Sequence, residues 1–461
     1  MRKFLIVGVL LITFAIQPLA SAEQPTKSTI YSIQETHQLP NNSSTTADNV
    51  VATVFLFDNH TDYAGQQILG ETIEVDGVLA SPNITRTEEN RVASFSLGTI
   101  SGGSSKTITI TNLIKITQVG PIDSSAVQGS VPSEMLAYTQ PIANLWESDD
   151  STINNKALGL IAGKSNIYDQ AQAIFDFVKN YLTYQEYAVD HSAIWAYNNR
   201  VGDCSEFTHL FSALCRAAGI PTRFVSGYGY NPQKGSNLAA HGHAWAFIYL
   251  PGVGWTPMDL IWQQPQGEFA MLSDDHIIRS TSYGQDLVRG GEIHIPSNRV
   301  AYSYSGQNPN INFASTGQIV REVAVELQLS TAASMGGDIW KFYVTVTNVG
   351  AQAVTNLNVT LSADSTSFEV PSAQSISSLA AGGNQVVTFN VRVNGSVENS
   401  VVTAHVTYDS SYGTLLAEEQ STVNVIVGGP SGGETNIMLF ALICVVIVLV
   451  VAVAAVVLLR R

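Results

Sequence analysis

The sequence predicts an α+β domain held between two all-β sandwich domains, with an apolar span near the C-terminus. Both flanks carry short runs of β-branched and apolar residues, such as KTITITN and KFYVTVTNVG, punctuated by Gly, Asn and Ser turns. In the middle the period changes: apolar residues recur twice at helical spacing, and an aromatic hairpin follows. Residues 437–459 are apolar and free of charge, long enough for a transmembrane helix.

Residues 1–22 have the layout of a secretory signal peptide. Arg2 and Lys3 precede an apolar run from Phe4 to Ile16, and Ala20-Ser21-Ala22 supplies small residues before an expected cleavage. Residues 23–130 then read as the first β-sandwich. In KTITITN, Ile108 and Ile110 face one side of a strand while threonines face the other.

Residues 131–319 form the predicted central domain. From Tyr168 to Leu182, Ala171, Ile174, Phe175, Val178 and Leu182 share one helical face. The aromatic stretch after it reads as a loop, in which Tyr184, Tyr187 or Trp195 is placed to wall a cleft. A second helix starts at Cys204, with Phe207, Leu210, Phe211 and Leu214 on its apolar face. Asp203 is its expected N-cap and Glu206 completes a capping box, while Gly219 and Pro221 stop it. The strand TRFVSGYGY, a polar connection and HGHAWAFIYL follow, and the turn Pro251-Gly252-Val253-Gly254 returns the chain towards Asp259. Residues 283–318 lack strong periodicity and are expected either to finish the sheet or to form a long connection.

Residues 320–427 read as a second β-sandwich, and 428–436 as a Gly/Ser/Pro linker to the 437–459 span. Arg460 and Arg461 follow the span directly, which predicts a single-pass protein of the cell membrane with its bulk extracytoplasmic. A lipid-anchor signal that is removed is the other reading of such a tail. A formal net charge of -15, with only 22 Lys and Arg, argues against nucleic-acid binding. Sequons at Asn41, Asn42, Asn59, Asn83, Asn358 and Asn394 all fall in the outer portion.

Three residues of the central domain carry nucleophilic chemistry. Cys204 sits in a first helical turn, where unpaired N–H groups favour a thiolate, although the carboxylates of Asp203 and Glu206 oppose it. His243 opens one strand of the hairpin and Asp259 closes the other, so the two ends lie at one sheet edge. A carboxylate on one imidazole nitrogen leaves the other to face the sulfur. His241 and His243 form a His-x-His pair with no clear third metal ligand, and Asp149-Asp150 and Asp274-Asp275 lack the spacing of a calcium loop. No metal and no cofactor are expected. Among only three cysteines, Cys204 and Cys215 would lie roughly 16 Å apart on one helix, too far to bridge, and Cys444 lies in the span.

The runs GDCSEFTHLFSALCRAAGIPTRFVSGY and GHAWAFIYLPGVGWTPMD resemble the core of the transglutaminase-like superfamily, over roughly residues 140–280. The resemblance implies a papain-like fold, with a Cys-bearing helix packed on an antiparallel sheet. It implies Cys204 as nucleophile, His243 as base and Asp259 as the group that orients the base. The stretch Phe342 to Gly350 more loosely resembles immunoglobulin-like stalk modules of exported prokaryotic proteins. Together these readings predict an outward-facing cysteine acyl-transfer enzyme with a protein or peptide substrate, such as one of the cell surface or cell wall. Hydrolysis is favoured over cross-linking to an amine, and a non-catalytic adhesion module is the reading from another class.

Overall fold

The computed structural model describes residues 27–425 apart from 62–63, 87–89, 263–266, 290–291, 294–299, 307–308 and 333–337. The expected signal peptide, the linker and the transmembrane helix over 437–459 lie outside the described residues. Among those described, no helix is long and apolar enough to cross a membrane.

The first domain is built from β1 (Ser28–Pro40), β2 (Ala47–Leu56), β3 (Gln66–Val75), β4 (Val78–Leu79), β5 (Asn83–Arg86), β6 (Arg91–Ile100) and β7 (Ser105–Thr117). Alternation drives it: Ile108 and Ile110 of β7 are fully buried and meet Val50, Ala52 and Val54 of β2 in one core. The sequon at Asn41 is closed to a glycan, because its side-chain amide is buried and donates to the carbonyls of Thr45 and Ile100.

The central domain contains α1 (Ser151–Ile161), α2 (Ile167–Tyr181), β8 (Thr183–Tyr184), α3 (Ala193–Asn199), β9 (Val201–Gly202) and α4 (Cys204–Ala217). Then come β10 (Thr222–Gly229), β11 (Gly242–Leu250), β12 (Gly254–Asp259), β13 (Glu268–Phe269) and β14 (His276–Ser282). These strands form one antiparallel sheet in the order β13-β12-β11-β10-β14. The expected apolar face of α2 is buried at Ala171, Ile174, Phe175 and Val178, and it packs with Phe207, Leu210, Phe211 and Leu214 of α4. Truncating Phe211 to alanine would cost about 3–5 kcal/mol, the usual loss for a buried aromatic. The stretch between α2 and α4, expected to be a loop, holds α3, capped by the Ser192 hydroxyl on Trp195 N–H. Seven residues are too few to print a helical period on the sequence.

Residues 283–318 contain the short hairpin β15 (Val288–Arg289) and β16 (Glu292–Ile293), then β17 (Val300–Ser305) and the start of β18 (Ala314–Val323). The placement of all of 131–319 in the central domain is corrected here. β17 is the edge neighbour of β2 and β18 that of β1, so residues 300–323 complete the two sheets of the first sandwich. The described residues of β17 are exposed and so carry no burial alternation, and the partners are far off in the chain: Val300 meets Val54, and Val323 meets Ile30.

The last domain holds β19 (Val325–Ala332), β20 (Ile339–Asn348), β21 (Val354–Ala363), β22 (Phe368–Glu369), β23 (Gln374–Leu379), β24 (Asn384–Val393), β25 (Val397–Ser410) and β26 (Gly413–Val425). They form two four-stranded sheets around a core that includes Phe342, Val359, Phe389 and Val406.

Candidate active site

The site lies where the N-terminus of α4 meets the hairpin of β11 and β12. Helix α4 begins as its capping box dictates: Ser205 N–H donates to Asp203 Oδ1 at 2.8 Å, and Asp203 N–H donates to Glu206 Oε2 at 2.9 Å. This fixes Cys204 as the first helical residue, whose own N–H has no intrahelical acceptor. The sulfur accepts a hydrogen bond from Ala244 N–H on β11. Burial first, and then the charge of Asp203, push the Cys204 thiol up to about 12, more than the Ala244 N–H offsets. The expected thiolate at the helix start therefore does not arise from the helix alone. A proton acceptor is needed.

His243 lines the same cleft as Cys204. Its Nε2 donates to Asp259 Oδ2 at 2.5 Å, the contact expected from the two ends of the hairpin. The other carboxylate oxygen, Oδ1, accepts from Ile261 N–H and Trp262 N–H, each at 3.0 Å. Burial opposes ionisation of Asp259, but the charges and N–H groups of His243 and His276 hold it well below the usual carboxylate range.

His276, at the start of β14, was not singled out in the sequence. Fully enclosed, it donates from Nε2 to Asp259 Oδ2 at 3.0 Å, while its Nδ1 lies 3.0 Å from Asp275 Oδ1 and 3.2 Å from Ser273 Oγ. Burial disfavours a charge on it, yet the bonds to Asp259 and Asp275 raise its pKa well above that of a free imidazole. A signal existed: in DDHIIRS a histidine precedes buried apolar strand residues, as His243 does in HAWAFIY. The Asp274-Asp275 pair, read as isolated, turns out to anchor that histidine on one side and the first sandwich on the other. Asp274 accepts from Thr29 Oγ1 at 2.6 Å and pairs with Lys27 Nζ at 3.2 Å.

The cleft measures about 360 Å³ and is walled by Tyr184, Ile261 and Trp262, with Gly229, Lys234 and Gly242 along its rim. Of the aromatics weighed from the sequence, Tyr184 is the one that reaches it. Trp195 instead stacks on His191, with ring centres 3.7 Å apart, and Trp255 lies over Arg223. Trp245 is buried behind His243. Trp262 covers His243 and His276, with ring centres at 5.1 and 4.6 Å. Gly229 is required for this arrangement, because a Cβ there would meet the Trp262 ring at 2.4 Å.

His241 is not the partner of His243. It ends a short 3-10 turn before β11, and its ring holds the preceding loop through Gly235 O at 2.9 Å and Asn231 N–H at 3.2 Å. One trio of possible metal donors among the described residues, His243, Asp259 and His276, has ligand atoms within 4.8 Å of one another. Both imidazoles already spend their Nε2 protons on Asp259, so those nitrogens offer hydrogen bonds rather than lone pairs.

The helix and the hairpin thus bring a thiol, an imidazole and a buried carboxylate to one cleft, in the chain order Cys204, His243, Asp259. Residues 154–260 match the family model of the Transglutaminase-like superfamily, and residues 322–427 match the model named CARDB. The central domain is thus similar to the transglutaminase-like superfamily over residues 154–260. The last domain, expected to be an immunoglobulin-like β-sandwich, is the part of the chain that matches CARDB.

The chain is 25% identical over 144 residues to the uncharacterized protein YebA of Bacillus subtilis, covering 28% of this chain and 20% of that one. It is 35% identical over 72 residues to a protein-glutamine gamma-glutamyltransferase of Pseudomonas aeruginosa, covering 14% of this chain and 11% of that one. The chain thus spans a fifth or less of the length of either relative. Among solved structures, a candidate cysteine protease from Cytophaga hutchinsonii is 17% identical with a TM-score of 0.43, covering 64% of this chain and 98% of that one.

Proposed function

We propose that the chain is a cysteine acyl-transfer enzyme that opens a carboxamide or peptide bond through a thioester on Cys204. The observation that carries this reading is the 2.5 Å bond between His243 and Asp259 beside a cleft that Cys204 also lines. His243 takes the Cys204 proton as the sulfur attacks the carbonyl carbon, and Cys204 N–H at the helix start is placed to receive the developing oxyanion. His243 then passes its proton to the leaving amine, and the C–N bond breaks to leave the thioester. In the second half, water or an amine attacks the thioester, His243 takes its proton, and the sulfur leaves.

Hydrolysis is the favoured second half. A cleft that must deliver an amine ahead of water needs to be closed by large side chains. Here Tyr184 and Trp262 stand on walls, but the rim is Gly229, Gly242 and the exposed Lys234. A glutamine side chain is a reasonable acyl group, since the Pseudomonas aeruginosa relative carries that substrate in its name. We place the enzyme on the outer face of the cell membrane, held by residues 437–459, with cell-surface or cell-wall proteins as substrates; the signal-like N-terminus and the arginine-flanked apolar tail support this.

The test supplies glutamine-containing peptides to the full chain and to Cys204→Ala, with and without a labelled primary amine. Release of free acid that needs Cys204 is the expected result. Label incorporation that outpaces it would make amine transfer the reaction, and neither product would remove the enzymatic reading.

A further inference from the structure

The Asp259 carboxylate serves two imidazoles at once. Its Oδ2 receives Nε2 of His243 at 2.5 Å and Nε2 of His276 at 3.0 Å, and the two rings lie 5.7 Å apart between centres. A triad aspartate needs to hold one histidine. The second is therefore surplus to orientation of the base, yet it is built in with care. His276 is enclosed, and a carboxylate faces each of its nitrogens, Asp259 on one side and Asp275 on the other. Asp275 is itself fixed by Trp262 Nε1 at 3.2 Å and Ser273 Oγ at 2.5 Å. The other ionisable group facing His276 is Glu268 of β13, 3.9 Å from Nδ1.

Resting on the acyl-transfer reading above, we propose that His276 is a positioning residue: its N–H locks Asp259 in place, and its charge limits how strongly Asp259 stabilises protonated His243. The physical argument is a competition. An unshared buried aspartate would hold the proton on His243 tightly, which favours taking the proton from sulfur but impedes giving it to the leaving amine. A cation on the same carboxylate oxygen weakens that grip. At an effective dielectric near 20, a unit charge at such a separation shifts a neighbouring titration by roughly 1–2 pH units.

His276→Gln separates the two parts of the proposal, since glutamine keeps an N–H donor but carries no charge. With histidine-labelled full chain, NMR titration of His243 is expected to show its pKa rising by roughly 1–2 pH units in the variant. The acid limb of the peptide reaction, where His243 must be neutral to take the thiol proton, should move upward by the same interval. An unchanged His243 titration would overturn the proposal, as would a uniform loss of activity with both limbs in place, which is what a merely structural role predicts. Should the variant not fold, the wild-type chain decides: His276 is expected to carry protons on both nitrogens at pH 8, and a neutral ring there would overturn the proposal. The NMR readouts need no substrate, so an inactive chain would sink the acyl-transfer reading without touching them.

Discussion

Arg279 of β14 donates from Nε to Glu35 of β1 at 3.0 Å, with both side chains 2% exposed. The pair joins the sheet that carries the site to the sheet of the first sandwich. Tyr228 of β10 donates to the same Glu35 oxygen at 3.4 Å, and the Arg279 guanidinium lies 4.9 Å over the Phe57 ring. Breaking one side of a buried pair leaves an uncompensated charge. Glu35→Ala is therefore expected to destabilise the chain by about 3–5 kcal/mol, and Glu35→Leu with Arg279→Met to recover most of it. Denaturant midpoints for the two variants and the wild type check this; a Glu35→Ala variant as stable as wild type would show the pair to be dispensable.

The two cysteines of the central domain should react very differently. Cys215 is fully buried, and burial raises its thiol well above the ordinary range. Cys204 is also raised, to about 12, but it opens onto the cleft beside His243. Iodoacetamide at pH 7 should label Cys204 and spare Cys215. His243→Ala should slow that labelling roughly tenfold or more, while His241→Ala leaves it unchanged. Equal labelling of both thiols would count against the site.

Glu206 gives the stability a pH dependence of its own. Burial, above all, pushes its carboxyl up to about 7, and the side chain is fully enclosed against His191 and Asp203. Because the folded chain binds this proton more tightly than the unfolded chain does, stability falls as pH rises from the ordinary carboxyl value to about 7, and is level above it. Glu206→Gln keeps the capping geometry and removes the titration. Urea midpoints at pH 5 and pH 8 should therefore drop less in the variant than in wild type; parallel profiles would refute the assignment.

Truncation tests the strand pairing at the domain boundary. A chain ending after residue 299 lacks β17 and β18 and exposes the edges of β1 and β2, whereas one ending after 324 keeps both. The shorter form is expected to aggregate or unfold its first sandwich, and the longer to remain soluble. Light scattering and far-UV circular dichroism distinguish them, and equal behaviour would show that the edge strands do not hold the sandwich.

The geometry around Cys204, His243 and Asp259 was legible because its parts are local. Asp203 and Glu206 start a helix at Cys204 by contacts within three residues, and the turn at Pro251–Gly254 brings the strand begun by His243 back to Asp259. Periodicity likewise marked α2, α4 and the paired β-rich ends, since each buries one face of a regular element. What the tertiary structure alone decided is the company those residues keep. His276 reaches Asp259 only because β14 pairs with β10 on the far side of the sheet from β12, and Trp262 lies over both histidines only because Gly229 leaves room. Strands 300–323 complete a sandwich begun at residue 28 by backbone hydrogen bonds, which are blind to side-chain type. Such long-range pairing, and the shift that burial imposes on the Cys204 thiol, depend on what surrounds a residue in space, and no spacing along the chain records it.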